Sequence, residues 1–302
     1  MTEAQSRIEA LLVASGLETG LAAVHVETGE TISVNGAALF PTASTFKVPV
    51  MVEVYAQARA GRFAITDRLV MTQASKTIGS GVIHTLHDGL QPTIRDLMML
   101  MIIVSDNTAT DMLVSHVGGA NVTARMRALG LDDIHVGLRC HDLFLQGWNL
   151  PKDGSVGYEQ VKAVAKASPM DFASGAFARD ASNNTSSALD MARLMVMIAT
   201  DQAGTAEDCA DMIAIMNNQH FQDRVPRFLP TGSVANKTGS LRGLRNDTGL
   251  IRRAPGHTMA YALFTFDDTE MPHGNSRQLV EANQRIAGVM GEVGQVLWDS
   301  VK

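Results

Sequence analysis

Strand-like patterning is confined to the two ends of this chain, and that confinement limits its fold more than any other feature. Residues 21–35, LAAVHVETGETISVN, read as two strands around the turn Glu27-Thr28-Gly29-Glu30, a hairpin signal. The pattern returns only in residues 231–253, TGSVANKTGSLRGLRNDTGLIRR, and 257–268, HTMAYALFTFDD, which are parted by the turn Ala254-Pro255-Gly256. Between the ends, apolar residues recur at three and four positions in TIRDLMMLMIIV, NTATDMLVSHV, ANVTARMRALG and SSALDMARLMVMIAT. Gly118-Gly119 and Gly130 stand where helices would stop. Two amphipathic helices complete the pattern, one in the first residues and one from Ser276 towards the C-terminus. Short strand segments at both ends are stable only if they meet in one sheet, with the helical middle inserted as a lobe of its own. The expected division is a discontinuous α/β sheet lobe, 1–43 with 201–302, and an all-α lobe, 44–200. Within the second, about 131–187 is rich in Gly, Ser, Asn and Asp, an irregular strip expected to wall a pocket.

Bulk properties remove several function classes. With 302 residues, 45% of them hydrophobic, the chain can bury a large core. A net charge of −6 without a Lys/Arg-rich face argues against a nucleic-acid partner. Cys140 and Cys209 form neither a metal knuckle nor a disulfide framework. Glu3 and Glu9 interrupt the only apolar stretch near the start, so it reads as an amphipathic helix instead of a signal peptide. No run reaches the length of a membrane span. The expectation is a cytoplasmic protein with a small-molecule substrate, no membrane partner and no cofactor or metal.

Three short motifs carry chemistry. Ser44 and Lys47 lie three positions apart where a small-residue turn runs into an apolar helix, in FPTASTFKVPVMVEVYAQA. On a helix that spacing puts a hydroxyl beside an amine on one face, and an amine of lowered pKa activates a serine alcohol as nucleophile. Ser105-Asp106-Asn107 ends an apolar helix, and Lys237-Thr238-Gly239-Ser240 lies in a strand. Singly these are a cap, a surface lysine or a glycine bulge. In this order, on helix start, helix end and strand, they match the signature of serine β-lactamases and penicillin-binding proteins.

The sequence resembles the class A β-lactamase family beyond those motifs. DGLQPTIRDLMMLMIIVSDNTATDMLVSHVGG is similar to the family's helix, loop and helix around the second motif. RVPRFLPTGSVANKTGSLRGLRND is similar to its approach to the third, and ALDMARLMVMIA to the helix after its omega loop. The resemblance implies a β-lactamase/transpeptidase-like fold, an antiparallel sheet flanked by helices. It makes Ser44 the nucleophile and Lys47 its base, with Ser105 relaying a proton to the leaving group. Asn107 would bond a substrate amide, and Lys237 and Thr238, beside Gly239, a substrate carboxylate. The backbone N–H groups of Ser44 and Ser240 would form the oxyanion hole. Each lysine's charge would depress the pKa of the other, and Ser80 is expected near the pocket.

One family feature is missing. The loop glutamate that positions the deacylating water, in a Glu-x-x-x-Asn pattern, has no counterpart: Glu159, in GYEQVKAV, is the only glutamate between Leu131 and Asn184. Glu159 and Asp180 are the candidate water-activating residues, with His141 a further base. The expectation is therefore a serine hydrolase acting by acyl-enzyme on an amide, lactam or ester, with slow β-lactam turnover. A genuine β-lactamase, a D-amino-acid peptidase or esterase, and a non-catalytic ligand-binding pseudoenzyme are the alternatives.

Overall fold

The computed structural model describes residues 2–269 and 277–301. The chain divides into two compact units, Met1–Thr45 with Ser186–Lys302, and Phe46–Thr185. The first unit is built on a five-stranded antiparallel sheet of order β2-β1-β7-β6-β5. Its strands are β1 (Glu18–His25), β2 (Thr31–Val34), β5 (Val234–Leu241), β6 (Leu244–Ala254) and β7 (His257–Phe266). β1 and β2 are the expected hairpin, closed by Gly29 N–H donating to the His25 carbonyl. The ends of the chain meet directly, because β1 pairs with β7 along its whole length, from Glu18 opposite Phe266 to His25 opposite Met259. Two short strands lie outside this sheet, β3 (Leu39–Pro41) and β4 (Thr185–Ser187).

Alternation along the strands explains how the sheet is covered. Met259, Tyr261 and Leu263 of β7 join Leu21 and Ala23 of β1 in one apolar cluster. The residues that fill it from α1 (Thr2–Ser15) and α10 (Arg277–Ser300) include Ile8, Leu12, Met290 and Val293. The intervening Ala260, Ala262 and Phe264 point to the other face and are equally buried. α8 (Ala188–Ala199) packs against β7, β1 and β6. It therefore belongs to the sheet unit, and the boundary falls at 185/186 instead of the expected 200. α9 (Ala206–Asn217) packs on β5. The C-terminal helix is described from Arg277; Ser276, where the sequence places its start, lies outside the described residues.

The second unit is helical: α2 (Lys47–Arg59), α3 (Ile94–Ile103), α4 (Asn107–Val117), α5 (Gly119–Ala128), α6 (Cys140–Gly147) and α7 (Tyr158–Ala167). Thr93 caps α3 and Asp106 caps α4, each accepting the backbone N–H three residues on. Pro49 is tolerated in α2 because it stands in the first turn, where no intrahelical N–H bond is lost. The irregular strip is more ordered than its composition suggests, since it contains both α6 and α7. The start of α6 is set from outside it. The buried Asp111 carboxylate on α4 accepts the Cys140 and His141 N–H groups at 2.6 and 2.9 Å, and the Thr77 hydroxyl at 2.6 Å. Among the described residues no helix is long and apolar enough to cross a membrane.

Asp111→Ala leaves those two N–H groups without their acceptor. The expected cost is on the order of 3 kcal/mol, read as a lowered midpoint in urea unfolding. An unchanged midpoint would show that α6 is held by other means.

Candidate active site

In the helical unit the site is built around Lys47. This first residue of α2 is fully buried. Its Nζ lies 2.8 Å from the Ser105 carbonyl oxygen, 3.1 Å from Ser105 Oγ and 2.8 Å from Asn107 Oδ1. The Asn107 amide cannot be turned round without loss, because its Nδ2 donates to the Ile78 carbonyl at 2.8 Å. Ser105 is brought to Lys47 by a left-handed backbone, φ +55°, at the corner between α3 and α4. For a residue with a side chain that conformation costs about 1–3 kcal/mol and marks a position fixed by its surroundings.

The partner set decides what Lys47 can do. An ammonium donates to all three oxygens. A neutral amine donates to the Ser105 carbonyl and Asn107 Oδ1, and its lone pair can accept a hydrogen bond from the Ser105 hydroxyl, since only that partner can reverse its role. Burial pushes the Lys47 pKa down, opposed by the Asp106 and Asp111 charges. Asp106 is already engaged, accepting from the Val82, Ile83 and Ala109 N–H groups. The three oxygens that Nζ meets are all neutral, and burial outweighs the acids, so the net shift is downward.

In the sheet unit the site is built around Gly239. Ser44, half-buried, lies in a 3-10 turn, Ala43–Phe46, that leads into α2. The sequence reading put it on the α-helix proper; the turn is tighter because the Thr42 carbonyl accepts both the N–H and the hydroxyl of Thr45. Ala43 is left-handed at φ +44°. A Cβ on Gly239 would fall 2.6 Å from the Thr42 oxygen and 3.1 Å from the Ser44 nitrogen. The Ser44 turn therefore lies directly on the bare face of β5, which no other residue at 239 would allow. Lys237, two residues back and so on the same face, is fully buried, and Thr238 nearly so. β5 is an edge strand, and its outer backbone groups are not used by a sheet neighbour. Ser240 is exposed.

Two residues passed over in the sequence reading hold this arrangement. Arg224, almost wholly buried, donates to the Gly239 carbonyl at 2.6 Å and to Ser240 Oγ and the Asn246 carbonyl at 2.5 Å. Asn246, directly opposite Gly239 on β6, donates from Nδ2 to the Pro41 and Thr42 carbonyls at 2.9 and 3.1 Å. Burial pushes the nearby Asp247 carboxyl up to about 7, against the Asn236 amide and the Arg224 charge.

The candidates for activating water make local contacts within their own segments. Glu159 is exposed on α7 and faces Lys162 at 3.8 Å. Asp180 is exposed and accepts the Ser182 N–H at 2.8 Å, a turn contact. His141 Nε2 lies 3.1 Å from the Val156 carbonyl. Ser80 is next to the Lys47 cluster, its carbonyl accepting the Asn107 N–H. Gly79 lies close to both Asn107 and Phe144 of α6: a Cβ there would sit 2.7 Å from Asn107 Nδ2 and 3.2 Å from Phe144 Cζ. Among the described residues no group of three or more His, Cys, Asp or Glu side chains is placed to hold a metal.

Comparison with known proteins gives a consistent result. A family model described as "Beta-lactamase enzyme family" matches residues 3–301. A β-lactamase of Rhodobacter capsulatus is 34% identical over 131 residues, 43% of each chain. One from Bacteroides uniformis is 22% identical over 96% of this chain and 92% of its own. The match to the first thus spans under half of that relative. Among solved structures, the β-lactamase of Sphaerobacter thermophilus has a TM-score of 0.77 at 29% identity, covering 98% of this chain and 97% of that one. PBP-A, a variant of which was captured as its acyl-enzyme with penicillin G, shares the fold with a TM-score of 0.76 at 21% identity, over 99% and 96% of the two chains.

The Lys47 titration checks the electrostatics. In carbon NMR of lysine-labelled protein, the Cε signal that Lys47→Arg removes is expected to titrate below the ordinary 10.5. Stability should rise with pH between that midpoint and 10.5, where the unfolded chain holds the extra proton. A midpoint at or above 10.5 would contradict this reading.

Proposed function

The chain belongs to the beta-lactamase enzyme family, and we propose that within it the protein is a serine hydrolase that acts through an acyl-enzyme and releases β-lactams slowly. Ser44 attacks the carbonyl of an amide, lactam or ester. Lys47 takes the hydroxyl proton, directly or through water, and Ser105 hands a proton to the departing nitrogen or oxygen. The N–H groups of Ser44 and Ser240 receive the oxyanion. Asn107 bonds a substrate amide, while Lys237 and Thr238 favour a substrate that carries a carboxylate. The observation that carries this reading is the enclosure of Lys47 by three neutral oxygens in a fully buried site. Burial there lowers the Lys47 pKa, which favours the neutral amine that a serine alcohol needs as its base.

Slow release follows from the missing loop glutamate. Hydrolysis of the acyl-enzyme needs a water held and deprotonated, and a general base contributes roughly a hundredfold to ten-thousandfold to such a step. Phe144 of α6, close to Gly79, offers a hydrocarbon ring and no base. Asp142, on the same helix, is locked to Arg139 through bonds of 2.9 and 3.0 Å. Glu159 and Asp180 remain the acids of the strip that movement could recruit, and a faster natural substrate is an amide or ester whose departing group leaves room for water beside Lys47. The penicillin adduct of the PBP-A variant is the covalent state this reading expects here.

Incubation with penicillin G followed by intact-mass analysis tests it. One adduct per chain should form, survive long after free antibiotic is removed, and be absent from Ser44→Ala. Labelling of the alanine variant would refute Ser44 as the nucleophile. Rapid turnover without an adduct would identify a genuine β-lactamase, and no reaction with any lactam or ester would identify a binding protein.

A further inference from the structure

Asn246 makes more of its surroundings than a structural strand residue needs. Its position directly opposite Gly239 places its side chain beside a residue that has none, and through that gap it reaches the turn before Ser44. There Nδ2 donates both its protons, at 2.9 Å to the Pro41 carbonyl and 3.1 Å to the Thr42 carbonyl. Oδ1 accepts the Thr265 N–H of β7 at 3.2 Å, and the backbone carbonyl accepts Arg224. The Thr42 carbonyl that Asn246 holds is the acceptor for Thr45, so it closes the 3-10 turn containing Ser44. Ala43, between them, is held left-handed. The side chain is fully buried, and its bonds to the turn cross more than two hundred residues of sequence.

We propose that Asn246 is the positioning residue of the oxyanion hole: by fixing the Pro41 and Thr42 carbonyls it aims the Ser44 N–H at the acyl oxygen, while Arg224 fixes β5 on the other side. The inference rests on the acyl-enzyme reading above. Asn246 touches neither substrate nor nucleophile, and its effect is confined to the step in which negative charge develops on the carbonyl oxygen. That step is sensitive because an oxyanion donor works only within about 2.7–3.1 Å of the oxygen it stabilises. Substrate binding through Lys237 and Thr238 does not depend on it.

The test compares acylation by a matched pair of activated esters, one with a carbonyl oxygen and one with sulfur in its place, which gains little from N–H donors. In Asn246→Ala the oxygen ester should acylate at least about tenfold more slowly, the sulfur ester should change little, and KM for the oxygen ester should hold. Asn246→Asp keeps the shape but turns a carboxylate on two carbonyl oxygens. Its rate relative to wild type should be lowest near neutral pH and recover on acidification, when a protonated carboxyl can donate to one of them. Thermal melting accompanies both variants, and the relative pH profile of Asn246→Asp decides if the alanine variant does not fold. Equal losses on the two esters, or a flat relative pH profile, would overturn the inference and leave the acyl-enzyme reading standing. A wild-type protein that reacts with neither ester would overturn both.

Discussion

The approach of the Ser44 turn to the backbone of Gly239 is the constraint on which the sheet half of the site depends. A side chain at 239 would have its Cβ 2.6 Å from the Thr42 oxygen, well inside van der Waals contact, so the turn can lie against β5 only where β5 is bare. That one missing atom has two consequences. It brings the Ser44 N–H to the edge strand, and it lets Asn246 reach across to hold the turn. Arg224 then fixes the same strand through the Gly239 carbonyl and the Ser240 hydroxyl. Strain in the Ala43 backbone, about 1–3 kcal/mol, is offset by these bonds.

The helical unit meets a different demand, a lysine without its usual solvation. Lys47 is wholly buried, and its amine meets a backbone carbonyl, a hydroxyl and an amide oxygen. A carboxylate in that shell would raise its pKa and hold the proton. The nearest acids are occupied: Asp106 caps α4 and gathers the Val82 and Ile83 N–H groups, and Asp111 binds the start of α6 and Thr77. Both acids therefore shape the protein around Lys47 without hydrogen-bonding to its amine. The same anchoring by Asp111 holds the start of α6, the helix that carries Phe144.

The sequence displays these features unevenly, and the reason is separation along the chain. The β1–β2 hairpin, the capped helices α3 and α4 and the lysine strand β5 are local, and periodicity with capping residues marks each of them. The three motifs were legible for the same reason, since each occupies four residues or fewer. The 3-10 turn at Ser44 was read as α-helix because serine, threonine and lysine suit either; what selects the turn includes Asn246, more than two hundred positions away. α6 was hidden within a strip whose glycines and asparagines suggest loop, and its first turn is bound by Asp111, about thirty residues upstream. Arg224 and Asn246 lie in the stretch that resembles the family's third-motif region, but nothing local marks the bonds they make to Gly239 and to the Thr42 carbonyl. α8 reads correctly as a helix, but its place on the sheet is a packing outcome that no helical period encodes.

The central claim is the proposed acylation of Ser44 with the carbonyl oxygen between the N–H groups of Ser44 and Ser240. A crystal structure of the protein after brief exposure to penicillin tests it directly. The account predicts continuous density from Ser44 Oγ to the opened lactam, with its carbonyl oxygen about 2.7–3.1 Å from both nitrogens. Density on any other side chain, or an acyl oxygen turned away from Ser44 N and Ser240 N, would contradict it.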